Sequence, residues 1–135
     1  MARLARTITQ KVFVPSATPD EVYTAFLDPK KHAAFTCSAA TGSARVGGKF
    51  TAWDGYISGV NRELVKGKTI VQDWETTEWP KDAPPSRLAL SFEAAKGGTA
   101  IKMVHSNVPA DQADSLRQGW IDYYWTPLKA YFGDR

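Results

Sequence analysis

Few residues in this chain are of types that do chemistry, and spacing separates one case from the next. His105 closes the segment TAIKMVH, where strand alternation puts it on one face with Ile101 and Met103, opposite Lys102. An imidazole there could act as acid or base, or touch a ligand. Its place near the end of the segment predicts instead a histidine at a sheet margin, partly solvated or bonded to a backbone carbonyl.

His32 and Cys37 stand close in sequence, but a metal site draws on about four ligands and no third accompanies them. No metal and no cofactor are expected. Cys37 as a nucleophile would need a nearby base and a lowered pKa; the sequence supplies neither, so a buried or semi-buried thiol is expected. Asp73 and Glu75 alternate against Trp74 in TIVQDWETTEW and so fall on a solvated strand face, while Glu78 has inward parity beside a loop. Gly47-Gly48 and Gly97-Gly98 neither open a helix nor precede a Lys-Ser or Lys-Thr pair, which makes them turns rather than phosphate cradles.

What remains is apolar. Phe50, Trp74, Leu90, Phe92, Met103, Trp120, Tyr123 and Tyr124, joined by His105, form the candidate ligand-binding set. Large aromatic rings fill space imperfectly, and buried tyrosine hydroxyls need partners that a ligand or water could supply. A filled core and a ligand-sized cavity both remain open.

These residues must be positioned by a definite order of elements. Even spacing of Ile8, Val12 and Val14 predicts a first strand, interrupted by Gln10. In SATPDEVYTAFLDP, Thr18 and Glu21 form a capping box with Pro19 at the first helical position, and Asp28-Pro29 ends that helix while capping a second that runs through Phe35. Six strands are expected between Ser38 and Asn107, separated by the turn signals Gly47-Gly48, Asp54-Gly55, Lys66-Gly67-Lys68, Pro80 to Pro85 and Lys96-Gly97-Gly98. Their short connections make them antiparallel.

The apolar face of such a sheet needs a cover. The stretch SLRQGWIDYYWTPLKAYF supplies it as a long helix capped by Asp111. At about 100° per residue, Leu116, Trp120, Tyr123, Tyr124, Pro127 and Tyr131 gather on one side, flanked by Ile121, Leu128 and Phe132, with Trp125 at the edge. Pro127 is expected to bend the helix to follow the sheet. Only Lys129 is clearly basic on the opposite side, which argues against a helix lying on a membrane.

Bulk properties set the outer limits. At 135 residues and 43% hydrophobic content the chain has the size of one domain, residues 1–135. Seventeen Lys and Arg against fourteen Asp and Glu give +3, but the basic residues are scattered, so nucleic acid is not an expected partner. One cysteine forms no internal disulfide, and no apolar run nears about 20 residues. Arg3 and Arg6 are followed by no apolar region, so a frayed N-terminus in a soluble cytoplasmic protein is expected rather than a targeting segment.

The segments HAAFTCSAA, GGKFTAWDGYISG, TIVQDWETTEWP, GTAIKM and RQGWIDYYWTPLKAYFG resemble the C-terminal domain of the activator of the 90-kDa heat-shock protein ATPase, a co-chaperone family, and its single-domain bacterial relatives. The resemblance runs from about Thr7 to Gly133. It implies an α+β helix-grip fold, START-like and similar to birch-pollen allergens: a curved antiparallel sheet of about seven strands, two short helices after the first, and a long C-terminal helix. At 135 residues there is no room for the separate N-terminal domain through which the eukaryotic co-chaperone engages its chaperone, so full ATPase activation is not expected.

Fold does not transfer function, and three readings follow. The leading one is a non-enzymatic domain that holds an apolar or aromatic small molecule or lipid between sheet and C-terminal helix. The alternative is a protein-interaction module related to co-chaperones, with a chaperone as partner. A cyclase- or hydrolase-like enzyme using His105 or Tyr124 ranks last, because no two titratable groups are placed within mutual reach.

Overall fold

The computed structural model describes residues 4–133. Arg3 of the expected frayed end lies outside them, whereas Arg6 is part of strand β1 (Ala5–Pro15). Ile8 and Val14 of that strand are wholly buried. Gln10, which interrupts the apolar alternation, ties the strand to the helical layer. Its Oε1 accepts from the Trp125 indole at 2.7 Å and its Nε2 donates to the Arg117 carbonyl at 2.9 Å.

Helices α1 (Pro19–Leu27) and α2 (Pro29–Thr36) follow. The capping box is present in both directions, with Thr18 Oγ1 accepting from the Glu21 amide at 3.2 Å and Glu21 Oε1 from the Thr18 amide at 2.9 Å. Asp28 ends α1 and caps α2 by accepting from the Lys30 amide. Cys37 closes α2 at φ 60° and is exposed. The expected burial of this thiol is therefore corrected: a left-handed residue past the last turn points away from the face its helix packs.

Six strands come next: β2 (Thr41–Gly42), β3 (Lys49–Ala52), β4 (Ile57–Val65), β5 (Thr69–Thr76), β6 (Ser86–Ala95) and β7 (Gly98–Pro109). All pairings are antiparallel, in the order β1-β7-β6-β5-β4-β3-β2. Register aligns Leu88 with His105 and Gln72, and Leu90 with Met103 and Ile70. A continuous inner stripe results, because every second side chain of each strand faces the helices.

The covering segment departs from a single bent α-helix. A 3-10 turn (Ala110–Gln112) leads into α3 (Ala113–Trp120), then a π-helical segment (Ile121–Trp125), then α4 (Thr126–Gly133). Asp111 does not cap it; the Ala113 amide is taken by the Ala110 carbonyl within the 3-10 turn. Just ahead of Pro127, the Thr126 amide donates to the Ile121 carbonyl, five residues back.

That wider turn advances less per residue and resets the phase of the helix. Trp120, Tyr124, Trp125, Leu128 and Phe132 share the buried face, while Tyr123 and Tyr131 are 58% and 38% exposed. The expected grouping of Tyr123 and Tyr131 with Trp120, and of Trp125 at the edge, assumed uniform α-geometry and is corrected on that ground. Among the described residues no helix is long and apolar enough to cross a membrane.

Candidate functional site

His105 is not at a solvated margin. It is fully buried, with Nδ1 accepting from the Trp120 indole at 3.1 Å and Nε2 lying 2.7 Å from Ser86 Oγ. Because Nδ1 accepts, the proton sits on Nε2 and is donated to Ser86, whose own hydroxyl donates to the Trp74 carbonyl at 2.5 Å. Burial drives the imidazole pKa down to about 3. The Ser86–His105 distance suits a nucleophile and base, but the nitrogen facing Ser86 already carries the proton. The chain of bonds ends on a backbone carbonyl and ties β5, β6, β7 and α3 together.

His32, set aside above as a weak metal ligand, forms a second buried link. Its Nδ1 donates to the Phe26 carbonyl at 3.0 Å, so Nε2 accepts from the Tyr124 hydroxyl at 3.1 Å. Burial holds this imidazole below its ordinary range, against the Phe26 carbonyl, which favours the charged form. Burial also raises the Tyr124 phenol. Among the described residues no cluster of three or more His, Cys, Asp or Glu is placed to hold a metal.

Of the candidate set, Leu90, Phe92 and Met103 are packed in the core. Phe50, Trp74, Trp120 and Tyr124 border an interior cavity of about 20 Å3, together with His32, Asn61 and Gln72. That volume holds about one water. Gln72 and Asn61, both in its lining, bond each other at 2.9 Å.

A larger space opens beside it. Trp53 and Tyr56 of the β3–β4 turn and Ile57 at the start of β4 face Leu116, Gly119, Trp120, Tyr123 and Tyr124 of the helical layer across a groove of about 420 Å3 that has Trp74 in its lining. Trp53 meets Tyr123 at 5.5 Å and 73°, and Tyr124 at 6.3 Å and 80°, so the rings stand nearly at right angles. Here Tyr123, which periodicity assigns to the core, finds a position consistent with its exposure.

Trp53 is the residue that sequence reasoning missed. Trp53, Asp54 and Gly55 take φ of 53°, 56° and 87°; the Asp54-Gly55 signal marks the turn but not the left-handed tryptophan before it, a conformation bulky residues avoid. Its indole nitrogen is buried without a hydrogen-bond partner. The Tyr124 hydroxyl is near enough for that N–H to favour the phenolate, yet the geometry falls short of a bond. Buried unpaired donors are rare, and this one lies beside the buried Tyr124 hydroxyl. The Tyr56 hydroxyl donates to Glu78 Oε1, and Glu78 is exposed, as its place beside the loop predicts.

Residues 16–133 match the profile of the family described as Activator of Hsp90 ATPase homolog 1-like protein. The human "Activator of 90 kDa heat shock protein ATPase homolog 1" is 36% identical over 116 residues, covering 86% of this chain and 34% of that protein. A Dictyostelium discoideum relative with the corresponding name is 34% identical over 104 residues, 76% of this chain and 27% of its own length. The chain thus spans about a third of the curated relatives it matches.

Among solved structures, an HSP90 activator from Plasmodium falciparum superposes with a TM-score of 0.83 over 96% of both chains at 24% identity. The allergen Ara h 8.0201 does so with 0.76 over 98% of this chain and 100% of its own at 12% identity. At such identities these share the fold, the helix-grip arrangement described above. With its profile match running from β1's end to the last turn of α4, the chain belongs to the family of Activator of Hsp90 ATPase homolog 1-like proteins.

Proposed function

We propose that this chain is a binding domain whose ligand, a small apolar or aromatic molecule, lies in the open groove between the β3–β4 turn and the helical layer. The observation that carries the reading is a groove of about 420 Å3 lined mainly by aromatic side chains, among them Trp53, Tyr56, Trp120 and Tyr123. The volume falls near the small end of the roughly 300–1,000 Å3 of ligand sites. This size suits a compact molecule better than a long acyl chain. Strain at Trp53 fits the same role, since left-handed non-glycine residues concentrate at ligand clamps.

Titration with naphthol, followed by the indole N–H resonances of the five tryptophans, tests it. Saturable movement centred on Trp53, with Trp74 and Trp120 next, is the expected result. Absence of saturable change, or change centred on Trp79 and Trp125 away from the groove, would overturn the reading.

A second reading takes a 90-kDa heat-shock protein as partner. It is favoured by the identity of 36% to a relative named for activating that chaperone's ATPase. Direct titration with the chaperone decides it: an interaction abolished by Tyr123→Ala would support it, and no detectable complex would remove it.

A further inference from the structure

We propose that the interior cavity is a binding site for one water molecule, held by the side-chain oxygen of Gln72. The site is separate from the groove, and the inference does not depend on a ligand binding there. Gln72 belongs to β5, with its side chain on the inner face between those of Ile70 and Trp74, and is only 8% exposed. Asn61 fixes which end of its amide points where. Asn61 Nδ2 donates to the carbonyls of Ser43 at 2.9 Å and Arg45 at 3.3 Å, so Asn61 Oδ1 is the end turned to Gln72, and it accepts from Gln72 Nε2 at 2.9 Å. Gln72 Oε1 is thereby left over, and no described residue donates to it. A carboxamide oxygen withdrawn from bulk solvent and left unbonded is costly and rare.

The cavity that Gln72 lines matches water and nothing larger. Its volume is about 20 Å3; one water needs roughly 10–15 Å3, and a small-molecule site roughly 300 Å3 or more. Its walls also carry polar atoms. Besides Gln72 they include Asn61 and Tyr124, and the Tyr124 hydroxyl gives its hydrogen to His32 Nε2 while keeping lone pairs. A water that donates one hydrogen to Gln72 Oε1 therefore has further acceptors in the same lining, as a buried water with about three bonds requires. An ion does not fit: the described lining has no Asp, Glu, Lys or Arg to offset its charge.

A high-resolution crystal structure of the full chain tests the site, together with NMR cross-relaxation from water to the methyl protons of Leu88, which also lines the cavity and does not exchange with solvent. One ordered water about 2.5–3.0 Å from Gln72 Oε1 is expected, with a water–Leu88 cross-peak of the sign that long-lived internal water gives. Gln72→Met keeps the length of the side chain and removes the acceptor, so both the water and its cross-peak should be lost. In the wild-type chain, a cavity with neither density nor cross-peak, density too large for water, or a water not bonded to Gln72 Oε1 overturns the proposal. A water that keeps its place in the Gln72→Met variant overturns it too, and if that variant does not fold, the wild-type measurements alone decide.

Discussion

The Trp120 indole donates to Nδ1 of His105 at 3.1 Å, and this contact fixes which nitrogen of the buried ring carries its proton. Everything else around His105 follows: Nε2–H must donate to Ser86, and Ser86 must donate to the Trp74 carbonyl. The ring is a neutral strut between sheet and helix.

Nitrogen shifts of His105 should therefore report the Nε2–H tautomer and stay constant from about pH 8 down to about pH 5, where an ordinary histidine with pKa near 6.5 titrates. A midpoint inside that interval would contradict the assignment.

Stability should fall with acid, and the sign is fixed by the shift. The folded-state pKa of His105 is depressed to about 3 and that of His32 is lowered too. The unfolded chain binds protons below about pH 6.5 while the folded one does not. Full stability is expected above that value, with a loss of up to about 1.4 kcal/mol per pH unit from His105 as pH falls toward 3, and a further loss in the same direction from His32. Urea midpoints at neutral and mildly acidic pH measure it; a flat profile would refute it.

Trp120→Phe keeps an aromatic ring but deletes the donor to Nδ1, and Ser86→Ala deletes the partner of Nε2–H. Each leaves a buried polar atom unpaired, so each should cost about 1–3 kcal/mol in chemical denaturation. Trp120→Phe should also raise the His105 pKa, since the lost bond favoured the neutral ring.

Tyr124→Phe removes the donor to His32 Nε2. A loss of about 1–2 kcal/mol is expected, with the His32 midpoint moving up toward the ordinary range. No movement would show that His32 is held by burial alone.

The phase of the C-terminal helix is tested by a pair of truncations. Leu128 is wholly buried and Tyr131 is 38% exposed, so Leu128→Ala should cost about 2–5 kcal/mol and Tyr131→Ala far less. A uniform α-helix through Pro127 predicts comparable losses at the two positions, with Tyr131 on the inner side beside Leu128.

Gly59→Ala should be poorly tolerated. A methyl there would overlap the Asp73 carbonyl oxygen and lie 2.7 Å from the Phe50 ring, forcing β4 and β5 apart. Loss of amide protection across the Gly59–Trp74 pair is the expected signature.

Much of this molecule was legible as local pattern. The Thr18–Glu21 capping box, the Asp28 cap, the strand count and the inward parity of Leu88, Leu90, Phe92, Ile101 and Met103 all depend on neighbours within a few residues, and such interactions are written directly in spacing. The family was legible for the same reason, since its segments recur in order.

The candidate site was legible only in part. Trp74, Trp120 and Tyr124 were identified from their faces, but Trp53 depends on a left-handed turn against the helical layer, and Tyr123 was turned outward by a π segment that no apolar periodicity announces. His105 looked marginal because its place in the strand says nothing of Trp120, which reaches it from the helix. Alternation and capping chose the elements; only the docking of helix on sheet decided which polar atoms were paired and which indole was left without a partner, because those bonds join residues far apart in the chain.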